Sequence, residues 1–140
     1  LRFLDGIVDI YMPDIKFSDD SIAYRYLGVK NYYSIATAAV KEMHRQVENL
    51  KTDDRGIAYR GLLIRHLVMP QNLAGTDTIM NFIGEEISKD TYVNIMAQYY
   101  PAHRAYRFEH LDRGLEPWEY RKAVEAAQLA GLKNYRANIW

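Results

Sequence analysis

The chain of 140 residues contains no cysteine. This absence excludes disulfide bonds, zinc sites with thiolate ligands and thiol nucleophiles within these residues. It also excludes an iron–sulfur cluster held by cysteine thiolates of this chain. Any chemistry that the chain contributes must therefore come from its other side chains and its backbone.

Neither sign of charge predominates, because 18 lysine and arginine residues balance 18 aspartate and glutamate residues. Without a basic excess or a long block of one sign, the charge pattern indicates neither nucleic acid nor an anionic membrane as a partner. No apolar run approaches the roughly 18 residues of a membrane-spanning helix, and no secretory leader pattern is visible. We therefore expect a cytoplasmic protein, and 49% hydrophobic content predicts one globular domain over residues 1–140.

Short apolar runs predict strands at residues 7–12, 62–69 and 92–97, and a weaker run predicts a last strand near 132–135. Helical segments separate these strands, which is the order of right-handed βαβ units with a parallel sheet. Three such units make half a barrel or a small open sheet. In either arrangement ligands gather at the carboxyl ends of the strands, so the residues there are the candidates for chemistry.

Three helices are predicted between the strands. Apolar spacings of three and four predict the first over residues 32–50. The second has Thr76 as its capping residue, and the third has Pro117 in its first turn and ends at Gly131. The predicted buried faces of the last two helices consist of Ile79, Met80, Ile83, Ile87, Ala123, Val124, Ala127 and Ala130.

An acid and a base, Asp14 and Lys16, follow the first predicted strand. Two residues apart on an extended chain, both side chains lie on the same side. One can then hold an ammonium group or a cation while the other meets a carboxylate. A solvated surface pair is the alternative interpretation.

Arg65 and His66 interrupt the apolar run of the second predicted strand. A guanidinium in such surroundings needs an anion, and its shape suits a bidentate grip on a ligand carboxylate. An internal ion pair with one of the chain's own acids fits the pattern equally well. His66 points to the opposite face and is expected to be a structural histidine.

The third predicted strand runs into a polar and aromatic segment that begins at Gln98 and Tyr99. Such a rim can line a pocket for a nucleoside-like ligand, or its tyrosines can pack over the end of the sheet. The spacing of His44, His103 and His110 is not that of a metal site. Without a glycine-rich phosphate loop or a nucleophile elbow, hydrolase and kinase functions have little support.

The segments at the three strand ends together resemble radical S-adenosylmethionine (SAM) enzymes of the pyruvate formate-lyase activating-enzyme type, and more closely an uncharacterised branch of homologues. The resemblance covers nearly the whole chain. Residues 9–17 resemble the family's strand that ends in Asp-x-Lys, and a glycine-containing turn follows at 26–29. The segments that resemble this branch in particular are 42–47, 60–70 and 94–99.

This resemblance implies the later three units of a partial (β/α)₆ barrel, which is the C-terminal half of a TIM-like fold. Met12 and Asp14 match positions that can furnish oxygens to a bound monovalent cation. Gln71 departs from the family, which commonly has glycine after the proline. The residues that the resemblance implies at the SAM site are Asp14, Lys16, Arg65, the backbone of Leu67, and either Gln98 or Tyr99.

In the intact family, a cysteine-held 4Fe-4S cluster reduces SAM, and the resulting 5′-deoxyadenosyl radical abstracts hydrogen from a substrate or from a partner such as a glycyl-radical enzyme. The cysteine motif and the glycine-rich SAM segment belong to the first half of the family's barrel, and neither is in this sequence. We therefore expect a fragment that contributes part of the SAM site, needs the missing N-terminal half and lacks independent radical activity.

Two other functions are compatible with the sequence. A non-enzymatic α/β binding or assembly module that self-associates is the main alternative, because half a barrel leaves open sheet edges and an uncovered apolar interior. A different small α/β enzyme that uses Asp14 and Lys16 in acid–base work has less support, since no nucleophile or third catalytic partner is evident.

Overall fold

The computed structural model describes residues 1–137, in which helices cover one face of a mostly parallel sheet. The strands are β1 (Ile10–Tyr11), β2 (Lys51–Thr52), β3 (Ala58–Leu67), β4 (Tyr92–Met96) and β5 (Tyr135–Ala137). The α-helices are α1 (Asp20–Leu27), α2 (Tyr32–Val47), α3 (Thr76–Phe82), which continues as a π-helical turn at Ile83–Ile87, and α4 (Pro117–Leu129).

The strand order is β1-β3-β4-β5, with every neighbouring pair in this row parallel. The short strand β2 pairs with β3 in the antiparallel direction and lies off this row. Helices connect each parallel strand to the next, as in successive βαβ units. The predicted α/β class with a parallel sheet is therefore confirmed.

The core lies between the sheet and the helices. Along β3 and just beyond it, Leu62, Ile64, His66 and Val68 are buried, whereas the residues between them are only partly so. This alternation assigns one face of β3 to the helices and leaves the other face uncovered by them. Among residues 1–137, none of the helices combines the length and the apolar character that a membrane-spanning segment needs.

The region of the first strand differs most from the sequence prediction. Only Ile10–Tyr11 forms β1, and Ile7 is exposed. No helix was predicted between this strand and residue 32, but α1 forms there, capped by the Asp19 carboxylate. This carboxylate accepts hydrogen bonds from the backbone N–H groups of Ser21 at 2.7 Å and Ile22 at 3.0 Å. A short helix capped within a polar stretch has too little apolar periodicity to be recognised.

Helix α2 ends at Val47, three residues before the predicted end at Leu50. The chain turns there because Glu48 adopts a positive φ of 61°, and the following residues pair with β3 as β2. Gly61 in β3 permits this approach, since a Cβ atom at that position would lie 2.4 Å from the carbonyl oxygen of Asn49. The return of the chain onto β3 therefore requires glycine at this position.

The structure confirms the predicted start of α4 but not the predicted cap of α3. Pro117 is in the first turn of α4, as predicted. Thr76, predicted to cap α3, is instead its first residue, and Gly75 occupies the cap position. The Thr76 N–H donates to the side-chain oxygen of Asn72 at 2.9 Å. Thr76 was misassigned because its hydroxyl serves a tertiary contact with His66, at 2.8 Å, rather than the cap.

Candidate functional site

Asp14 and Arg65 meet where β1 and β3 approach their carboxyl ends. The segment that follows β1 continues alongside β3, and Asp14 and Arg65 form an isolated parallel β-bridge. The N–H of Ile15 donates to the carbonyl of Arg65 at 3.1 Å, and the N–H of Arg65 donates to the carbonyl of Pro13 at 2.9 Å. Register-paired residues of parallel strands have their side chains on the same face, so this pairing brings the two side chains together.

The Asp14 carboxylate binds both cations of the predicted site. Its Oδ1 accepts from Arg65 Nε at 2.7 Å, and its Oδ2 accepts from Lys16 Nζ at 2.8 Å. Burial tends to raise the pKa of Asp14, but the hydrogen bonds from Lys16 and Arg65 outweigh it and hold this pKa below its ordinary value. The structure therefore contains the internal ion pair that was one interpretation of Arg65, with Asp14 as the acid.

Both cations keep donors for a ligand. Arg65 donates to Asp14 through Nε alone, and Lys16 has three N–H groups of which one is used. Their side chains are 37% and 47% exposed, so this charged triad is accessible to solvent. An exposed pair of this kind is weak. A ligand oxygen can therefore join the triad without breaking a costly internal contact.

Tyr32, the first residue of α2, fixes the backbone of this triad. Its hydroxyl oxygen accepts from the N–H of Lys16 at 2.9 Å and donates to the carbonyl of Asp14 at 3.4 Å. Burial raises the pKa of Tyr32, so the hydroxyl stays protonated. The sequence contains no sign of this role, because a tyrosine at the start of an amphipathic helix gives no local signal for a contact with a residue sixteen positions away.

Two other predicted residues lie on or near this face. Leu67 is the last residue of β3 and pairs with Met96 of β4, at the carboxyl ends of both strands. Met12 precedes the triad by two residues and is 54% exposed. Within residues 1–137 no group of three His, Asp or Glu side chains is arranged to hold a metal ion. A monovalent cation at Met12 and Asp14 stays a prediction.

Gln98 and Tyr99, the two candidate ligand-binding residues after β4, differ in their surroundings. Gln98 is exposed, whereas the Tyr99 hydroxyl donates to the carbonyl of Leu111 at 2.9 Å. Burial raises the pKa of Tyr99. Tyr99 thus holds the following loop in place, as in the interpretation that the tyrosines pack over the sheet, and Gln98 keeps its side chain available.

His66 is the structural histidine that the sequence predicted. It is fully buried on the helix-covered face, with Nδ1 2.8 Å from the carbonyl of Ile15 and Nε2 2.8 Å from the hydroxyl of Thr76. Because a carbonyl oxygen only accepts, Nδ1 carries the proton, and Nε2 accepts from the hydroxyl. Burial lowers the pKa of His66 to about 4. The neutral ring therefore joins β3, α3 and the segment that follows β1, on the face of the sheet opposite the charged triad.

The turn after β3 depends on Glu119, which sequence reasoning missed. Gln71 and Asn72 adopt positive φ values of 55° and 53°. The N–H of Gln71 donates to Glu119 Oε1 at 2.6 Å, and Arg113 binds both oxygens of the same carboxylate at 2.7 and 2.8 Å. The available signal was the Glu-x-x-Glu pattern at the start of α4, in which Glu116 and Glu119 form a capping box.

Gln71 therefore occupies a left-handed conformation that glycine would adopt without strain. We expect Gln71→Gly to raise the free energy of unfolding by about 1 kcal/mol, because a side chain in this conformation costs about 1 to 2 kcal/mol, partly offset by the greater backbone entropy of glycine. Urea denaturation measures the change. Gln128→Gly in α4 is the matched control and should instead lower stability, by about 1 kcal/mol. A loss of stability in Gln71→Gly would contradict the assignment.

The fold and these contacts define an α/β protein with a charged triad at the carboxyl ends of two adjacent parallel strands. An uncharacterized protein of the archaeon Methanocaldococcus jannaschii is 33% identical to this chain over 133 residues. The match covers 94% of this chain and 35% of that protein, so the chain spans about a third of the length of this relative. No family model matches the chain, and neither does a solved structure.

Proposed function

We propose that this chain forms the C-terminal half of a partial (β/α)₆ barrel and supplies part of the SAM site of a radical SAM protein of the activating-enzyme type. The observation that carries the proposal is the convergence of Asp14, Lys16 and Arg65 at the carboxyl ends of β1 and β3, on the face that the helices leave uncovered. In barrels of βα units this end of the strands is where ligands bind.

The donors of the triad suit the polar groups of SAM. The unused N–H groups of Arg65 can bind the methionine carboxylate or a ribose oxygen, and the Lys16 ammonium can bind a second oxygen. Asp14 holds both cations in position, and its carboxylate can also accept from a ribose hydroxyl. When bound in an intact protein of this family, SAM supplies an adenosyl group that serves as the source of a radical.

The residues of this chain do not fit a 4Fe-4S cluster. Such clusters are held by cysteine thiolates, and the sequence has no cysteine. No step of radical chemistry is therefore assigned to residues 1–140. The length of the archaeal relative, about three times that of this chain, is consistent with a cluster-binding half carried by another part of a longer polypeptide.

The test of the proposal is SAM affinity in the polypeptide as its source cells make it, measured by calorimetry. We expect Lys16→Ala and Arg65→Ala each to weaken binding about tenfold or more, the usual effect of losing a hydrogen bond to a charged group. Lys30→Ala and Arg121→Ala, at exposed positions outside the triad, are the matched controls. Circular dichroism verifies the fold. Unchanged affinity in both triad variants would contradict the site assignment.

A self-associating assembly module is the second candidate function. Ile10 and Met12, on the uncovered face, are 39% and 54% exposed, and among residues 1–137 β1 lies at one end of the strand row with an unpaired edge. Such surfaces favour pairing. The intact mass and the sedimentation coefficient of the native polypeptide separate the two functions. A longer product with cysteines upstream supports the SAM proposal, whereas a 16.4 kDa chain that dimerises supports the module.

A further inference from the structure

A row of polar residues crosses the uncovered face of the sheet. Asp14 is bridged to Arg65, Arg65 pairs in register with Asn94 of β4, and Asn94 pairs with Arg136 of β5. Residues paired in this way point their side chains to the same face. Tyr135, which flanks Arg136, packs against the core on the opposite face. The four side chains therefore lie side by side, about 5 Å apart from strand to strand.

Asn94 has an unsatisfied acceptor in the middle of this row. Its Oδ1 is buried and has no hydrogen-bond partner, and no other buried side-chain oxygen or nitrogen of residues 1–137 is without one. Leaving a buried polar group unpaired costs about 1 to 3 kcal/mol. Such a group in a row of charged residues indicates a missing donor.

The same face carries an excess of positive charge. On this face, the charged side chains of the strands and of the segment after β1 are the acid Asp14 and the three bases Lys16, Arg65 and Arg136. Asp14 is shared by Lys16 and Arg65, and Arg136, which is exposed, makes no hydrogen bond or ion pair with any other residue of the described range 1–137. Within the described range, the Arg136 guanidinium is therefore without an anionic partner, and it lies next to Asn94 Oδ1, an acceptor without a donor.

We propose that Asn94 and Arg136 form a subsite for a small organic anion that carries a hydroxyl or amino group beside its carboxylate or phosphate. The guanidinium of Arg136 binds the anionic group, and Asn94 Oδ1 accepts the neighbouring hydroxyl or amino hydrogen. Since the two residues are about 5 Å apart, the two groups of the ligand are separated by only a few bonds. That this anion is the substrate of the full protein rests on the function proposed above.

NMR titration of the 140-residue chain tests the subsite, with the backbone amides of Asn94 and Arg136 and the side-chain amide of Asn94 as reporters. The probes are glycolate, acetate and inorganic phosphate, at an ionic strength held constant with sodium chloride. We expect glycolate to bind about fivefold more tightly than acetate, because only glycolate offers Asn94 a hydroxyl hydrogen. Stronger binding of phosphate than of glycolate assigns the anionic group to a phosphate, and the reverse assigns it to a carboxylate.

Substitutions separate the two contacts. Arg136→Gln should weaken glycolate binding about tenfold, Asn94→Leu should abolish the preference for glycolate over acetate, and Arg121→Gln on α4 should change neither. Chemical-shift changes that sodium chloride reproduces, or that persist in Arg136→Gln, would overturn the subsite.

A parallel SAM titration distinguishes this proposal from the proposed function. If SAM binds in a way that requires Arg65 and glycolate does not bind, only the subsite is removed. Glycolate binding without SAM binding leaves the anion subsite but removes its assignment to a radical SAM substrate.

Discussion

The free energy of unfolding is expected to fall by about 2 kcal/mol between pH 7 and pH 5, and by about 3 kcal/mol at pH 4, because of His66. Its pKa is about 4 in the folded chain and 6.5 as a free side chain, and each pKa unit corresponds to about 1.4 kcal/mol. Between these two values the unfolded state binds a proton that the folded state does not. The contribution of neutral His66 to stability is therefore fully present above about pH 6.5 and is lost as the pH falls towards 4.

Urea denaturation at pH 7, 6 and 5 measures this effect at pH values above those at which protonation of the carboxylates lowers stability. The pKa values of Asp14 and Glu119 are lowered, so their contributions are lost only at more acidic pH. His66→Asn removes the titrating ring, and its stability should vary little between pH 7 and 5. His103→Asn, at an exposed histidine, is the matched control and should retain the full pH dependence. An equal dependence in His66→Asn would exclude His66 as the cause.

Glu119→Ala is expected to lower the free energy of unfolding by about 3 kcal/mol, near the lower end of the cost of breaking a buried ion pair. The Glu119 side chain is 3% exposed, and its oxygens accept from Arg113 and from the N–H groups of Gln71 and Glu116. Hydrogen bonds from Arg113 lower the pKa of Glu119 to about 2. Its removal leaves two backbone donors unpaired, while the partly exposed Arg113 recovers water.

Glu125→Ala, at an exposed glutamate of the same helix, is the control for the loss of a carboxylate and should change stability by less than about 0.5 kcal/mol. A double-mutant cycle with Arg113→Ala isolates the ion pair from the backbone hydrogen bonds. If Glu119→Ala cost less than about 1 kcal/mol, the carboxylate would not hold the turn. The turn would then have to be stabilised by Pro70 and by the hydrogen bonds of Asn72.

The polar residues of the candidate site were predictable only in part. Asp14, Lys16 and Arg65 stand out because each interrupts or ends an apolar run, and a charge there needs a partner. Their mutual contact is a tertiary fact, since 51 residues separate Asp14 from Arg65. Tyr32 and Asn94 gave no signal, because neither a tyrosine in a helix nor an asparagine in a strand breaks the local pattern.

By itself, the sequence determined the α/β class, the two long strands β3 and β4 and the long helices α2 and α4, because apolar periodicity depends on neighbours within a few residues. It also determined that no thiolate cluster can be held here. Tertiary structure alone decided the short elements β1 and α1, the left-handed turn at Gln71, the sharing of Asp14 by two cations and the register that places Asn94 between two arginines. These features depend on contacts between segments distant along the chain, and local propensity does not encode such contacts.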